Sequence, residues 1–137
     1  MGQQQLLLIV LSVIIVGIAV VVGINMFGAS AASANLEAVS NDLLTLASSA
    51  QQFYVKPASM GGGGNGFTGL TADAAGIAKL TPKASNDNGT YSIKTAGDGT
   101  SVVLQGVGKH DGDGDASNCK VEVTVYNDHI STSIVSR

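Results

Sequence analysis

The sequence predicts an α+β protein in which a long N-terminal hydrophobic-to-amphipathic helix packs on a C-terminal antiparallel β-sheet of about four strands. Three observations carry that prediction. An uncharged apolar run extends from Leu6 to Ile24. Apolar side chains then recur at steps of three and four as far as Phe53, the period of one helix face. After residue 90, four short runs alternate apolar with polar residues, the period of a strand.

The first element is the apolar run. Its nineteen residues contain no charge and no strongly polar side chain other than Ser12, and as a helix they span about 28 Å, close to the hydrocarbon thickness of a bilayer. Its Val and Ile would favour a strand in water, but lipid offers the backbone no partners, so a helix that closes its own hydrogen bonds wins. No Lys or Arg precedes Lys56, so flanking charge assigns no orientation; the short N-terminus and polar C-terminal mass favour an exported head. Gly17, Gly23 and Gly28 remove side chains from the helix surface and permit close helix contact. A cleaved signal peptide is the competing interpretation, because the small residues 28–34 offer a cutting site. Against it, the run exceeds the usual 7–15 residues of such a peptide and has no basic n-region.

Beyond Ala34 the pattern becomes periodic. Leu36, Val39, Leu43, Leu46, Ala50 and Phe53 form one stripe, with Glu37, Ser40, Asn41, Asp42, Thr45 and Ser48 opposite. No proline intervenes before Pro57, and the Ala-rich joint is a good helix former, so one continuous helix of about 50 residues, about 75 Å long, is expected. The chain therefore divides into a transmembrane or assembly helix, residues 1–34, and a globular head, residues 35–137. The head comprises the amphipathic half-helix (35–56), a Gly-rich loop (57–89) and the strands (90–137).

Within the loop, the glycines of residues 60–66 lack the Lys-Ser or Lys-Thr of a phosphate cradle and read as a flexible connection. Residues 71–79 suit a short helical turn. The strand runs are Tyr91, Ile93 and Thr95; residues 102–107; Val121, Val123 and Val125; and residues 130–135. Gly97-Asp98-Gly99 and Asn127-Asp128 suit tight turns, which makes the sheet a meander with its apolar face on the helix.

Composition narrows function. The 7 basic and 10 acidic side chains all fall between Glu37 and Arg137, leaving no positive footprint for nucleic acid. Cys119 is alone, so no intrachain disulfide forms. Two histidines, at 110 and 129, assemble no nucleophile with a base, carboxylate pair or open metal position, and no enzyme is expected.

One concentration of ligand-type residues exists, the loop His110-Asp111-Gly112-Asp113-Gly114-Asp115, with Glu122 eleven residues after Asp111. Aspartates at alternate positions can converge hard oxygens on calcium. Ala116 at the sixth position and strand-like flanks exclude an EF-hand. Two alternatives stand for Asp111, Asp113 and Asp115: a looser calcium site, or a solvated acidic hairpin loop.

A stub ending in Gly2, an uncharged segment from Leu6, one helix continuing into an amphipathic half and a C-terminal meander together resemble type IV pilins and the pseudopilins of type II secretion. In that family a peptidase cuts after a glycine, the new N-terminus is methylated, and the hydrophobic helices bundle into the core of an extracellular filament. The resemblance implies processing at Gly2-Gln3 and assembly through Leu6, Leu7, Val10, Ile14, Gly17, Val21 and Gly23. It also implies identical subunits as partners, residence in the inner membrane before assembly, and a filament serving surface attachment, motility or uptake. The chain differs from the family pattern in having no basic leader, Gln3 at the cut, Leu7 where most members carry Glu, and no cysteine pair; Gln3, Gln4 and Gln5 offer amide hydrogen bonds in place of that Glu. The alternatives are a membrane-anchored or secreted extracytoplasmic binding module, or a pseudopilin of a secretion system.

Overall fold

A computed structural model describes residues 2–112 and 114–137. Its first element, α1, is a single helix of 54 residues, Gly2–Val55, about 80 Å long. The apolar and amphipathic halves are one rod. The buried residues of α1 are Ala32, Asn35, Val39, Leu43, Leu46, Ala47, Ala50 and Phe53. The stripe thus starts one turn earlier than its first leucine, and Asn35, not Leu36, occupies its central line; Leu36 lies at the flank, partly buried.

The sheet is a meander in the order β1-β2-β3-β4, all neighbours antiparallel: β1 Gly89–Thr95, β2 Ser101–Gly108, β3 Lys120–Tyr126 and β4 Ile130–Ser136. Along β2 and β3 every second residue is buried, Val102 and Leu104 in one and Val121, Val123 and Val125 in the other. These side chains face α1, which packs on β2 and β3. The fit is closest at Gly106, where an added Cβ would stand 2.7 Å from Val39 Cγ1 and 3.0 Å from Leu43 Cδ1. Burial of each large stripe residue contributes about 1.5–3 kcal/mol.

The expectation that the whole apolar face of the sheet lies under the helix holds for β2 and β3; residues 74–78 pack against β1, and β4 is left uncovered. Ile130, Thr132 and Ile134 stand opposite Val125, Val123 and Val121, yet Ile134 is 46% exposed. The reason is width: a helix about 10 Å across covers two strands spaced about 4.8 Å apart, and the fourth lies outside its shadow. The two sheet edges also differ. β1 is flanked by the preceding segment through a Ser85–Thr90 bridge and a Tyr91 N–H bond to the Ala84 carbonyl of 2.7 Å. β4 carries no such flank among the described residues and contains no charge and no proline.

The Gly-rich segment is not the flexible connection that its composition predicts. It folds back over the end of α1 and supplies donors to carbonyls that the helix cannot satisfy itself: Gly63 to Phe53 at 2.7 Å, Gly64 to Lys56 at 3.0 Å and Asn65 to Tyr54 at 2.7 Å. Gly61 and Gly64 adopt φ of 81° and 58° to make these turns. The next residues then add Phe67 and Leu70 to the core, both fully buried. A short helix, α2 (Ala74–Ala78), is capped by Asp73, which accepts from Gly76 N–H, and contributes Ile77.

Candidate assembly surface

The surface begins with what α1 does not bury. The stretch of α1 most apolar in character is long enough to cross a membrane, and none of it is covered by the rest of the chain. Leu6, Leu7, Val10, Ile14 and Val21 are between 53% and 69% exposed. At Gly17 and Gly23 an added Cβ would meet nothing within 4 Å. The chain's own fold therefore does not require glycine there, and the room that each leaves faces outward. Ser12 satisfies itself, its hydroxyl donating to the Leu8 carbonyl at 2.8 Å. Gly2 and Gln3 lie in the first turn of α1, exposed.

A polar clamp fixes the rod to the head where exposure gives way to packing. Asn35 is 9% exposed and all of its side chain is engaged. Nδ2 donates to the Asn88 carbonyl at 2.7 Å, while Oδ1 accepts from Lys109 N–H at 2.8 Å, His110 N–H at 3.3 Å and Cys119 Sγ at 3.3 Å. Gly108 makes room: an added Cβ would stand 2.2 Å from both Asn35 Oδ1 and Cys119 Sγ. Two turns on, Asp42 Oδ2 accepts from Asn86 Nδ2 at 2.9 Å, Asn88 Nδ2 at 3.0 Å and the Tyr91 hydroxyl at 2.5 Å. Burial acts to raise the Asp42 pKa, but the donors Asn88, Tyr91 and Asn86 outweigh it and hold the carboxyl below its ordinary range. Burial, followed by the bond to Asp42, pushes the Tyr91 phenol well above its ordinary value. A third tie, Gln51 Nε2 to the Tyr126 carbonyl at 3.1 Å, holds the far end.

The aspartate loop lies beside the joint, Gly112 N–H bonding the Arg137 carbonyl at 3.0 Å. Asp111 and Asp115 accept from the loop's own backbone. Asp111 Oδ1 accepts from Gly114 N–H at 2.8 Å and Oδ2 from Ala116 N–H at 2.9 Å; Asp115 Oδ1 accepts from Ser117 N–H at 2.8 Å. Asp113 lies outside the described residues. Glu122, on β3, is turned to the outer face of the sheet, where it pairs with Lys94 and accepts from Gln105 Nε2 at 3.3 Å. Among the described residues no three His, Cys, Asp or Glu side chains are grouped to hold a metal ion.

At the opposite end His129 is stacked on Tyr126, ring centres 4.3 Å apart, and its Nδ1 lies 2.6 Å from Asp128 Oδ1. That hydrogen bond holds the exposed Asp128 carboxyl below its usual range. The pair closes the β3–β4 turn, with Tyr126 N–H on the His129 carbonyl at 2.9 Å.

The structure thus keeps Leu6, Leu7, Val10, Ile14, Gly17, Val21 and Gly23 on one exposed cylinder and turns Glu122 away from the aspartate loop. It adds two that the sequence pattern passed over, Asn35 and Asp42. Asn35 had a signal, since it precedes Val39 by four residues and so continues the stripe; Asp42 had none, because its partners lie 44 to 49 residues away. Comparison of the chain with protein-family models, curated proteins and solved structures finds no match.

Proposed function

We propose that this chain is a structural subunit of an extracellular type IV pilus-like filament, held in the inner membrane before assembly and polymerising with identical copies through its N-terminal helix. One observation carries the reading: a single unbroken helix whose first half is apolar and wholly uncovered and whose second half is bolted to a folded head. An anchor alone requires no rigid continuation into the head. A subunit whose helix must leave lipid and enter a bundle of like helices does, because the same apolar cylinder faces lipid in one setting and like helices in the other. The head is then displayed outward for surface attachment, motility or uptake.

Processing at Gly2-Gln3 belongs to this proposal. N-terminal mass spectrometry of the protein from cells tests it: a mature chain beginning at methylated Gln3 is expected, together with filaments bearing this protein in sheared surface material viewed by electron microscopy. A start near Ala32 or Asn35 would make the chain a secreted module that discards its helix. An intact Met1, with the protein found only as dispersed membrane monomer, would make it an anchored domain.

A further inference from the structure

α1 carries two kinds of polar side chain in its first half, and they differ in one respect. Ser12 closes its hydrogen bond within the helix. Gln3, Gln4 and Gln5 are exposed and make no side-chain hydrogen bond to any described residue. Each amide brings two donors and an acceptor oxygen that need partners from outside the chain.

Three geometric facts specify the partner. All three residues are inside α1, which begins at Gly2. Consecutive helical residues are rotated by about 100°, so their side chains sweep about 200° of the circumference within a band about 3 Å tall. An amide is also its own complement, donor to acceptor and acceptor to donor. No carboxylate lies on the chain before Glu37, so the amide donors meet no anionic side chain on a neighbouring copy at this level. Aromatic or basic side chains, the usual anchors to lipid headgroups, are absent from residues 2–26. Directly below the amides a shallow apolar groove runs along Gln3, Leu6, Leu7 and Val10, a helical stripe at steps of three, one and three that suits another helix.

We propose that Gln3, Gln4 and Gln5 form a ring of amides that pairs with the same ring on neighbouring copies of this chain in the bilayer and holds their helices at one depth. The inference deepens, and rests on, the reading of the chain as a membrane-resident assembly subunit. Because the ring faces more than one direction, it serves a bundle of several helices better than a pair. Interhelical side-chain bonds in membranes are individually weak, and two or three acting together give about a tenfold preference for the level arrangement.

Cross-linking of the full chain in membranes tests this. Two differently tagged copies are co-expressed, both carrying Leu7→Cys, or one carrying Leu7→Cys and the other Ile14→Cys, two helical turns apart on the side of the groove; the chain with only its buried Cys119 is the control. The level pair is expected to cross-link about ten times more than the offset pair, and Q3L/Q4L/Q5L is expected to bring that ratio close to one. A level preference that survives the leucine triple, or cross-links with no preference for level, would overturn the ring while leaving assembly intact. No cross-link in either pairing would overturn the assembly reading itself, and the ring with it.

Discussion

The Tyr91 hydroxyl lies 2.5 Å from Asp42 Oδ2, joining the inner face of β1 to the head-packed half of α1 across 49 residues of sequence. Tyr91→Phe keeps the buried ring and removes only this donor. Asp42 retains its two asparagines and is half-exposed, so the loss is moderate, about 1 kcal/mol, seen as a lower thermal midpoint of the full chain in detergent. Asp42→Ala removes the acceptor from all three donors and costs more, about 2 kcal/mol. Equal midpoints for the wild type and both variants would show that the contact contributes nothing.

The same pair dictates two pH limbs. The Asp42 pKa is lowered on folding below its ordinary 3.8, so the unfolded chain binds its proton first as pH falls. Its contribution is present above pH 3.8 and is lost as pH drops through the lower folded value. Tyr91 shifts the other way, above its ordinary 10.0, so its contribution is full below that pH and declines as pH rises past it. Denaturation midpoints measured against pH are expected to lose part of their acid limb in Asp42→Asn and part of their alkaline limb in Tyr91→Phe.

Asn35→Ala leaves the Lys109 N–H and the Asn88 carbonyl without their side-chain partner beside a closed core. Stranding such groups costs about 1–3 kcal/mol each, so a loss of about 3 kcal/mol is expected. Hydrogen exchange localises it: the Lys109 amide should exchange faster, by a factor larger than at Val123, which lies farther along the sheet.

Two glycines on different surfaces make opposite predictions. Gly106→Ala drives a methyl into Val39 and Leu43 under α1 and should destabilise the head by about 1–3 kcal/mol. Gly17→Ile meets nothing in the chain and should leave the thermal midpoint unchanged, while the yield of filaments in sheared material falls. If Gly17→Ile filaments form at wild-type yield, close helix approach at that glycine plays no part in assembly.

For the aspartate loop, Asp111→Ala removes acceptors for the Gly114 and Ala116 amides and should cost about 1 kcal/mol, the same with and without millimolar calcium. Isothermal titration of the wild type checks the other half. Heat of binding that disappears in Asp111→Ala would decide for the calcium site over the solvated loop.

Much of this architecture was legible because it is written in periodicity. Leu6 to Ile24, the stripe through Val39, Leu43 and Leu46, and the alternation at Val121, Val123 and Val125 each repeat a local rule, and each became the element that the rule predicts. What was not legible depends on residues far apart. Nothing near Gly63 announces that its amide will cap Phe53, because that requires the chain to turn back on the helix end. Ile134 alternates as a buried strand residue does, yet its burial is decided by the width of α1. Asp111, Asp113 and Asp115 have the spacing of ligands, but a carboxylate followed by glycine two or three residues on is equally suited to accept from its own turn, as Asp111 does from Gly114. For the apolar half of α1, composition sufficed: residues 6–24 carry no charge, and the fold leaves that stretch uncovered.

Between Ile24 at the end of the apolar run and Asn35 at the clamp, α1 rises about 16 Å. The headgroup layer of one leaflet takes up only about 5–8 Å of that distance. The remainder holds the small side chains of residues 28–34, where Ala29, Ala32 and Ser33 already line a cleft against Gly112 and Arg137 of the head. With the apolar run in a bilayer, Gly112 and Arg137 would be the part of the head nearest the lipid, and the rod and head would be joined from Ala29 onward.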